Sequence, residues 1–250
     1  MAMRRLLGTS LAALLLAQGP ALAETFDPAA KQEIREIVKD YLMEHPEVIL
    51  EAVQALQDRQ EQARANQAKD LIVQLREQLL RDSRDPVIGN PKGDITLVEF
   101  FDYRCGYCKQ AQPILAELIK SDPKLRVVLK EFPILGPDSL VASKAAIAAL
   151  AQGKYPVFHE ALIATRGTLS DDKIMDIAKS VGLDTAKLKA DMEKPEITGQ
   201  ISDIHGLAQR LEINGTPSFI VGDTLVPGAV DLETLKKLVA EARKSCTGTC

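Results

Sequence analysis

Apolar and polar positions alternate with three different rhythms along this chain. Between residues 27 and 82 the rhythm is helical, and the segment contains no glycine. Ile34, Ile37, Tyr41 and Leu42 share one face of a helix over about 29–44. His45-Pro46 interrupts it, because proline disfavours helix in the residue before it. A second, long helix is predicted over 46–82. Its stripe runs Ile49, Val53, Leu56, Gln60, Ala63, Gln67, Leu71, Leu75, Leu79, apolar at both ends and polar in the middle. Two such helices cannot enclose a core, so the stripe predicts a partner helix, from another copy or from the chain's own domain.

The period changes after Pro86. Ile95-Thr96-Leu97-Val98-Glu99-Phe100-Phe101 reads as a buried strand, and 125–132 as a second one. A helix is predicted over 109–120, with Pro113 expected to kink it. Helical patterns then follow over 139–151, 155–165, 171–181, 184–192 and 197–211. Short strands at 218–221 and 224–226 flank a Gly222-Asp223 turn, and 231–244 closes the chain as a helix. Strand, helix, strand, a helical block, a hairpin and a last helix make an α/β plan with a helical insertion over about 138–212.

The third rhythm is N-terminal. Arg4 and Arg5 precede an apolar run, and Ala21-Leu22-Ala23 forms a small-residue cleavage signal. The reading is a secretory signal over 1–23, cut after Ala23, with export to an oxidising compartment, the periplasm. Loss of the two arginines takes the formal charge from −4 to −6. An acidic chain without a basic patch excludes a nucleic-acid partner. The remaining organisation is an N-terminal helical segment over 24–84, an α/β domain over 85–245 and a tail over 246–250.

The candidate chemistry sits where the first strand meets its helix. Cys105-Gly106-Tyr107-Cys108 places one thiol at a helix N-terminus, where unbonded N–H groups and the helix dipole favour a thiolate. The second thiol, one turn on, can attack a mixed disulfide formed at the first. A zinc ribbon would need a second such pair nearby, whereas the other cysteines, Cys246 and Cys250, are distant and spaced differently. Redox chemistry therefore outweighs a zinc site or a static disulfide, and the two sulfurs call for no cofactor. Cys246 and Cys250 are left as a bridge, a soft-metal pair or a free tail. His45, His159 and His205 are isolated, and none is assigned to a metal.

The layout resembles the DsbA-like thioredoxin fold. The resemblance rests on Val98 to Tyr103 leading into the Cys105–Cys108 motif, on Lys130-Glu131-Phe132-Pro133-Ile134-Leu135, on the helical block, and on Gly215-Thr216-Pro217-Ser218. It implies that Pro217 is cis beside the dithiol, that the main chain of Thr216 pairs with an extended substrate, and that Glu99 is a buried acid able to take the proton of Cys108. An ion pair or a solvated position is the other reading of Glu99. The strongly oxidising members carry histidine where this chain has Tyr107. The neutral Gly106-Tyr107 pair thus implies a milder oxidant. A second resemblance, carried by residues 41–49, is to the suppressor-of-copper-sensitivity protein C group, some of whose members are trimeric isomerases. It implies a homo-oligomer, misoxidised exported proteins as clients and a membrane-bound thiol reductase as partner. Three readings stay open: oligomeric isomerase or reductase, monomeric dithiol oxidase, and copper-binding protein of a metal-tolerance system.

Overall fold

The structure, a computed structural model, describes residues 27–246. The signal over 1–23 with its cleavage after Ala23, and Cys250, lie outside the described residues. Contacts divide the chain between Gln57 and Asp58. In the first unit, helix α1 (Pro28–Glu44) is capped by Asp27, whose carboxylate accepts the Ala30 N–H at 2.7 Å, with Pro28 in the first turn. It ends where the His45 N–H bonds the Tyr41 carbonyl and Pro46 follows. Helix α2 (Glu47–Gln74) begins one residue later and crosses the division. No residue from Asp27 to Gln57 is buried. Ile34, Ile37, Tyr41, Leu50 and Leu56 are exposed. The apolar stripe of this unit therefore has nothing covering it among the described residues.

The second unit begins with the rest of α2. The helix expected to reach residue 82 stops at Gln74, and a short α3 (Arg76–Leu80) follows a break at Leu75. Ile72, Leu75, Leu79 and Leu80 are buried with Val98, Phe100 and Val128 of the sheet. The C-terminal end of the stripe thus belongs to the domain core.

Five strands form the sheet: β1 (Val87–Gly89), β2 (Ile95–Phe101), β3 (Leu125–Glu131), β4 (Ser218–Val221) and β5 (Thr224–Pro227), in the order β1-β3-β2-β4-β5. β2 and β3 are parallel and the other pairs antiparallel. Every residue of β2 is buried, which explains its nearly continuous apolar run. β1 was not foreseen. Its three residues are too few to show a period, and Gly89 closes it at φ +73°, where a Cβ would meet the Leu125 carbonyl at 2.7 Å.

Helix α4 (Gly106–Ser121) joins β2 to β3 and runs through Pro113 without a break in its assignment. The insertion is α5 (Pro137–Ala149), a 3₁₀ turn (Leu150–Gln152), α6 (Tyr155–Ala164), α7 (Asp171–Ser180), α8 (Thr185–Met192) and α9 (Pro195–Arg210). Helix α10 (Leu232–Ser245) follows the hairpin. One sheet face packs on α4, α10 and the insertion, and the other on α3 and the end of α9. This is the α/β thioredoxin plan with a helical insertion, preceded by a helical segment.

Candidate active site

Asp102, just past β2, organises the loop that carries the motif. Its buried carboxylate accepts the N–H groups of Arg104 at 2.7 Å and of Ile134 and Leu135 at 2.9 Å, and the Ser139 hydroxyl at 2.7 Å. Its carbonyl accepts the Cys105 N–H. Cys105 is then the N-cap of α4, with Sγ accepting the Cys108 N–H at 3.2 Å. On the opposite side Sγ lies 3.1 Å from the Thr216 carbonyl oxygen, to which the protonated thiol donates. The Thr216–Pro217 bond is cis. Two residues that are 111 positions apart in sequence thus meet at one sulfur.

Cys105 and Cys108 are free thiols, 5% and 1% exposed. The hydrogen bond from the Cys108 thiol is the main cause that brings Cys105 down to about 6, against its burial. The Thr216 side chain and the Cys108 and Tyr107 N–H groups act in the same direction. Cys108 is pushed far above the ordinary thiol range by the same bond and by burial. One thiol is held ready as a thiolate and the other keeps its proton. Gly106 is exposed, with open space where a Cβ would stand, and Tyr107 is 64% exposed. Neither places a charge beside the sulfur. We expect alkylation of the reduced protein by iodoacetamide to rise with pH around a midpoint of about 6. A midpoint at the ordinary thiol value of about 8.5 would remove Cys105 as the nucleophile.

Glu99 lies on β2 between Leu129 and Phe219 of the neighbouring strands. It is buried, and burial pushes it up to about 8, with the charges of Cys105 and Glu131 adding to the shift. Glu99 forms no ion pair among the described residues, and the two charges that act on it are both negative. Its charge in turn raises Cys108.

A second buried acid went unnoticed in the sequence. Glu131, at the end of β3, accepts the hydroxyls of Tyr103 at 2.9 Å, Tyr155 at 2.7 Å and Ser143 at 2.8 Å. Burial pushes it up to about 8 against those three bonds. The Tyr103 hydroxyl is also 3.0 Å from Nδ1 of His159, an imidazole that burial brings down to about 3. This cluster ties the motif loop, the sheet and the insertion to one carboxylate. Only the odd pairing of Lys130 and Glu131 in an otherwise apolar strand hinted at it.

Cys246 is in a disulfide, so its sulfur is not the thiolate a soft metal would need. Among the described residues no group of three or more His, Cys, Asp or Glu side chains is placed to hold a metal ion. No helix among them is long and apolar enough to cross a membrane.

The DSBA-like thioredoxin domain matches residues 96–240, more than half of the chain. The chain belongs to this DsbA-like thioredoxin family. Residues 31–63 match the copper resistance protein ScsC N-terminal domain. A thioredoxin-like oxidoreductase from Silicibacter pomeroyi is 48% identical over 68% of this DsbA-like chain and 99% of its own, with a TM-score of 0.67. A linker-deletion mutant of Proteus mirabilis ScsC is 27% identical over 90% of this chain and 100% of its own, with a TM-score of 0.69. A periplasmic thioredoxin-like protein from Salmonella enterica serovar Typhimurium is 30% identical over 68% and 97%, with a TM-score of 0.61. Among curated proteins, a Na(+)/H(+) antiporter NhaA 1 of Salinispora arenicola is 30% identical over 161 residues, 64% of this chain. The chain spans 25% of that antiporter's length. The family match carries the architecture of a DsbA/ScsC-like thioredoxin-fold thiol–disulfide oxidoreductase domain.

Proposed function

We propose that this DsbA-like protein is an exported, oligomeric disulfide isomerase or reductase acting on misoxidised periplasmic proteins. Cys105 thiolate attacks a client disulfide. An Sγ–S bond forms, the client S–S bond breaks, and one client sulfur leaves as thiolate. For isomerisation that thiolate, or another client thiolate, attacks elsewhere in the client and Cys105 is finally released. For reduction Cys108 gives its proton to Glu99 and attacks Cys105. The client leaves fully reduced and the enzyme holds a Cys105–Cys108 disulfide. A membrane-bound thiol reductase would return the two electrons. Thr216 and Pro217 would hold the client chain beside the sulfur.

The uncovered apolar stripe of the first unit carries the reading. Ile34, Val38, Leu42, Met43 and Ile49 line a groove of about 540 Å³, with Arg35 and Lys39 also on its wall. A face of this kind is stable in water only when a partner covers it. A second copy of the same helices is the simplest partner, and the resemblance to the copper-sensitivity group supports a trimer. Gathered dithiols would raise the concentration of thiolate around a trapped client. The neutral Gly106-Tyr107 pair supports isomerase or reductase work over strong oxidation. The periplasmic Salmonella relative supports the compartment. Light scattering of the protein without residues 1–23 tests the proposal, with a multiple of the chain mass expected at micromolar concentration. A monomer that shuffles scrambled disulfides would remove the oligomer from the mechanism.

A further inference from the structure

The cis-proline loop opens onto more than the dithiol. A cleft of about 280 Å³ holds Thr216, Pro217, Leu225 and Pro227. A larger groove of about 790 Å³ adjoins it, walled by Arg64, Ala65, Ala68 and Lys69 of α2. The two cavities share Glu212, Asn214, Leu225 and Pro227, so one surface runs from Thr216 to the flank of α2. All of these residues belong to the second unit.

β5 is the last strand of the sheet and lies along this groove. It faces Ile220 with Leu225 and Phe219 with Val226. The Gly228 N–H bonds the Pro217 carbonyl, which fixes the phase of the ladder. In an antiparallel pair, bonded and non-bonded positions alternate. Counting back from Gly228, Val226 is a bonded position and Leu225 is not. The N–H and C=O of Leu225 therefore point away from β4, into the groove. No other main-chain group among the described residues takes them. A free strand edge is the surface that an extended chain adds to. α2 does not pair with that edge. Lys69 bonds Asp223 in the hairpin turn at 2.7 Å, and burial of Ile72 near the end of α2, with Leu75 and Leu79 just after it, anchors the helix beyond that bond. The helix stands off the strand and leaves a slot. Glu61 and Arg64 line the slot with charges of both signs, which selects for an extended backbone over any one charge.

We propose that this slot continues the client site: an extended stretch of the client, on one side of its reactive cysteine, lies between α2 and β5 and pairs with the main chain of Leu225. The inference rests on the reading of Cys105 as the nucleophile. It makes the C-terminal half of α2 part of substrate selection and gives the site a direction. Residues on one flank of the client cysteine are gripped and those on the other are not.

Mixed disulfides between glutathione and short cysteine peptides test it on the full protein without residues 1–23. One peptide carries about six extra residues before its cysteine and another about six after it, enough in extended form to cross about 20 Å. One extension, and only one, is expected to raise kcat/KM about tenfold over the short peptide, a difference of about 1.4 kcal/mol. Within the Ala65→Trp protein the same extension should give no gain, because the indole fills the slot. Ala68→Trp blocks it from the next turn of α2 and guards against a folding failure of the first variant. Two extensions of equal effect, or a gain that survives both tryptophans, would overturn the proposal. So would a slot occupied by a second copy of the chain, which would show as a mass lowered by Ala65→Trp with flank length immaterial. A protein that exchanges neither the peptides nor glutathione disulfide would instead bring down the dithiol reading itself, and this inference with it.

Discussion

Replacing Cys105 with serine should lower thiol–disulfide exchange to the uncatalysed background, while replacing Cys108 should leave a protein that traps its clients. The asymmetry follows from two sulfurs in one turn. Cys105 accepts the Cys108 N–H and is brought down to about 6, so at pH 7 most of it is thiolate. A serine hydroxyl in that place stays protonated and cannot attack sulfur at a useful rate. Cys108 is 1% exposed and cannot meet a client disulfide directly. Its role is to break the bond that Cys105 has made. Without it the mixed disulfide persists and should appear on non-reducing gels as adducts that thiol reagents release. Adducts formed equally well by the Cys105→Ser protein would reverse the assignment.

Removing the first unit through Gln57 should abolish disulfide shuffling in a scrambled substrate and leave a folded, redox-active monomer. Cutting further, through residue 82, should unfold the domain. The division at Gln57 and Asp58 separates an uncovered apolar face from residues that are already part of a core. Ile72, Leu75, Leu79 and Leu80 are buried against the sheet. Burying a side chain of that size contributes about 1.5–3 kcal/mol. Loss of four would cost roughly 6–12 kcal/mol, comparable to the whole stability of about 5–15 kcal/mol of an ordinary domain. Circular dichroism of the two truncations distinguishes these outcomes, and insulin reduction checks that the shorter cut keeps its dithiol working. A shorter cut that shuffles as well as the full chain would leave the apolar face with another purpose.

The motif was legible because its chemistry is compressed into four residues at a strand-to-helix turn. Thr216-Pro217 was legible only through resemblance, since nothing local says that it meets a sulfur 111 positions away. The end of α2 shows a different limit. A helical period tells which side of a helix leaves water but not what covers it. Leu71, Leu75 and Leu79 continue the pattern of Ile49, Val53 and Leu56, yet Leu75 and Leu79 are covered by the chain's own sheet while Ile49, Val53 and Leu56 are exposed. The Glu131 cluster was illegible for a third reason. Tyr103, Ser143, Tyr155 and His159 are scattered over 57 positions with no common spacing, and only the packing of the insertion on β3 collects them. β1 was simply too short to show a period.

The sulfur that caps α4 links the stability of the fold to its electron count. As a thiolate, Cys105 bonds the first turn of the helix and sets a negative charge at the positive end of its dipole. The unfolded chain holds the same thiol near its ordinary value of about 8.5. The reduced fold therefore gains stability that is fully present above that value and is lost as pH falls through about 6. A disulfide carries no such charge, so the oxidised fold forgoes the gain. Around a thermodynamic cycle, the same free energy that steadies the reduced protein must draw electrons to the folded site more strongly than to the unfolded one. The reduction potential and the difference in melting temperature between the two redox forms are then two readings of one quantity. Any substitution that weakens the cap should move both together, turning the protein toward a weaker oxidant as it narrows the gap.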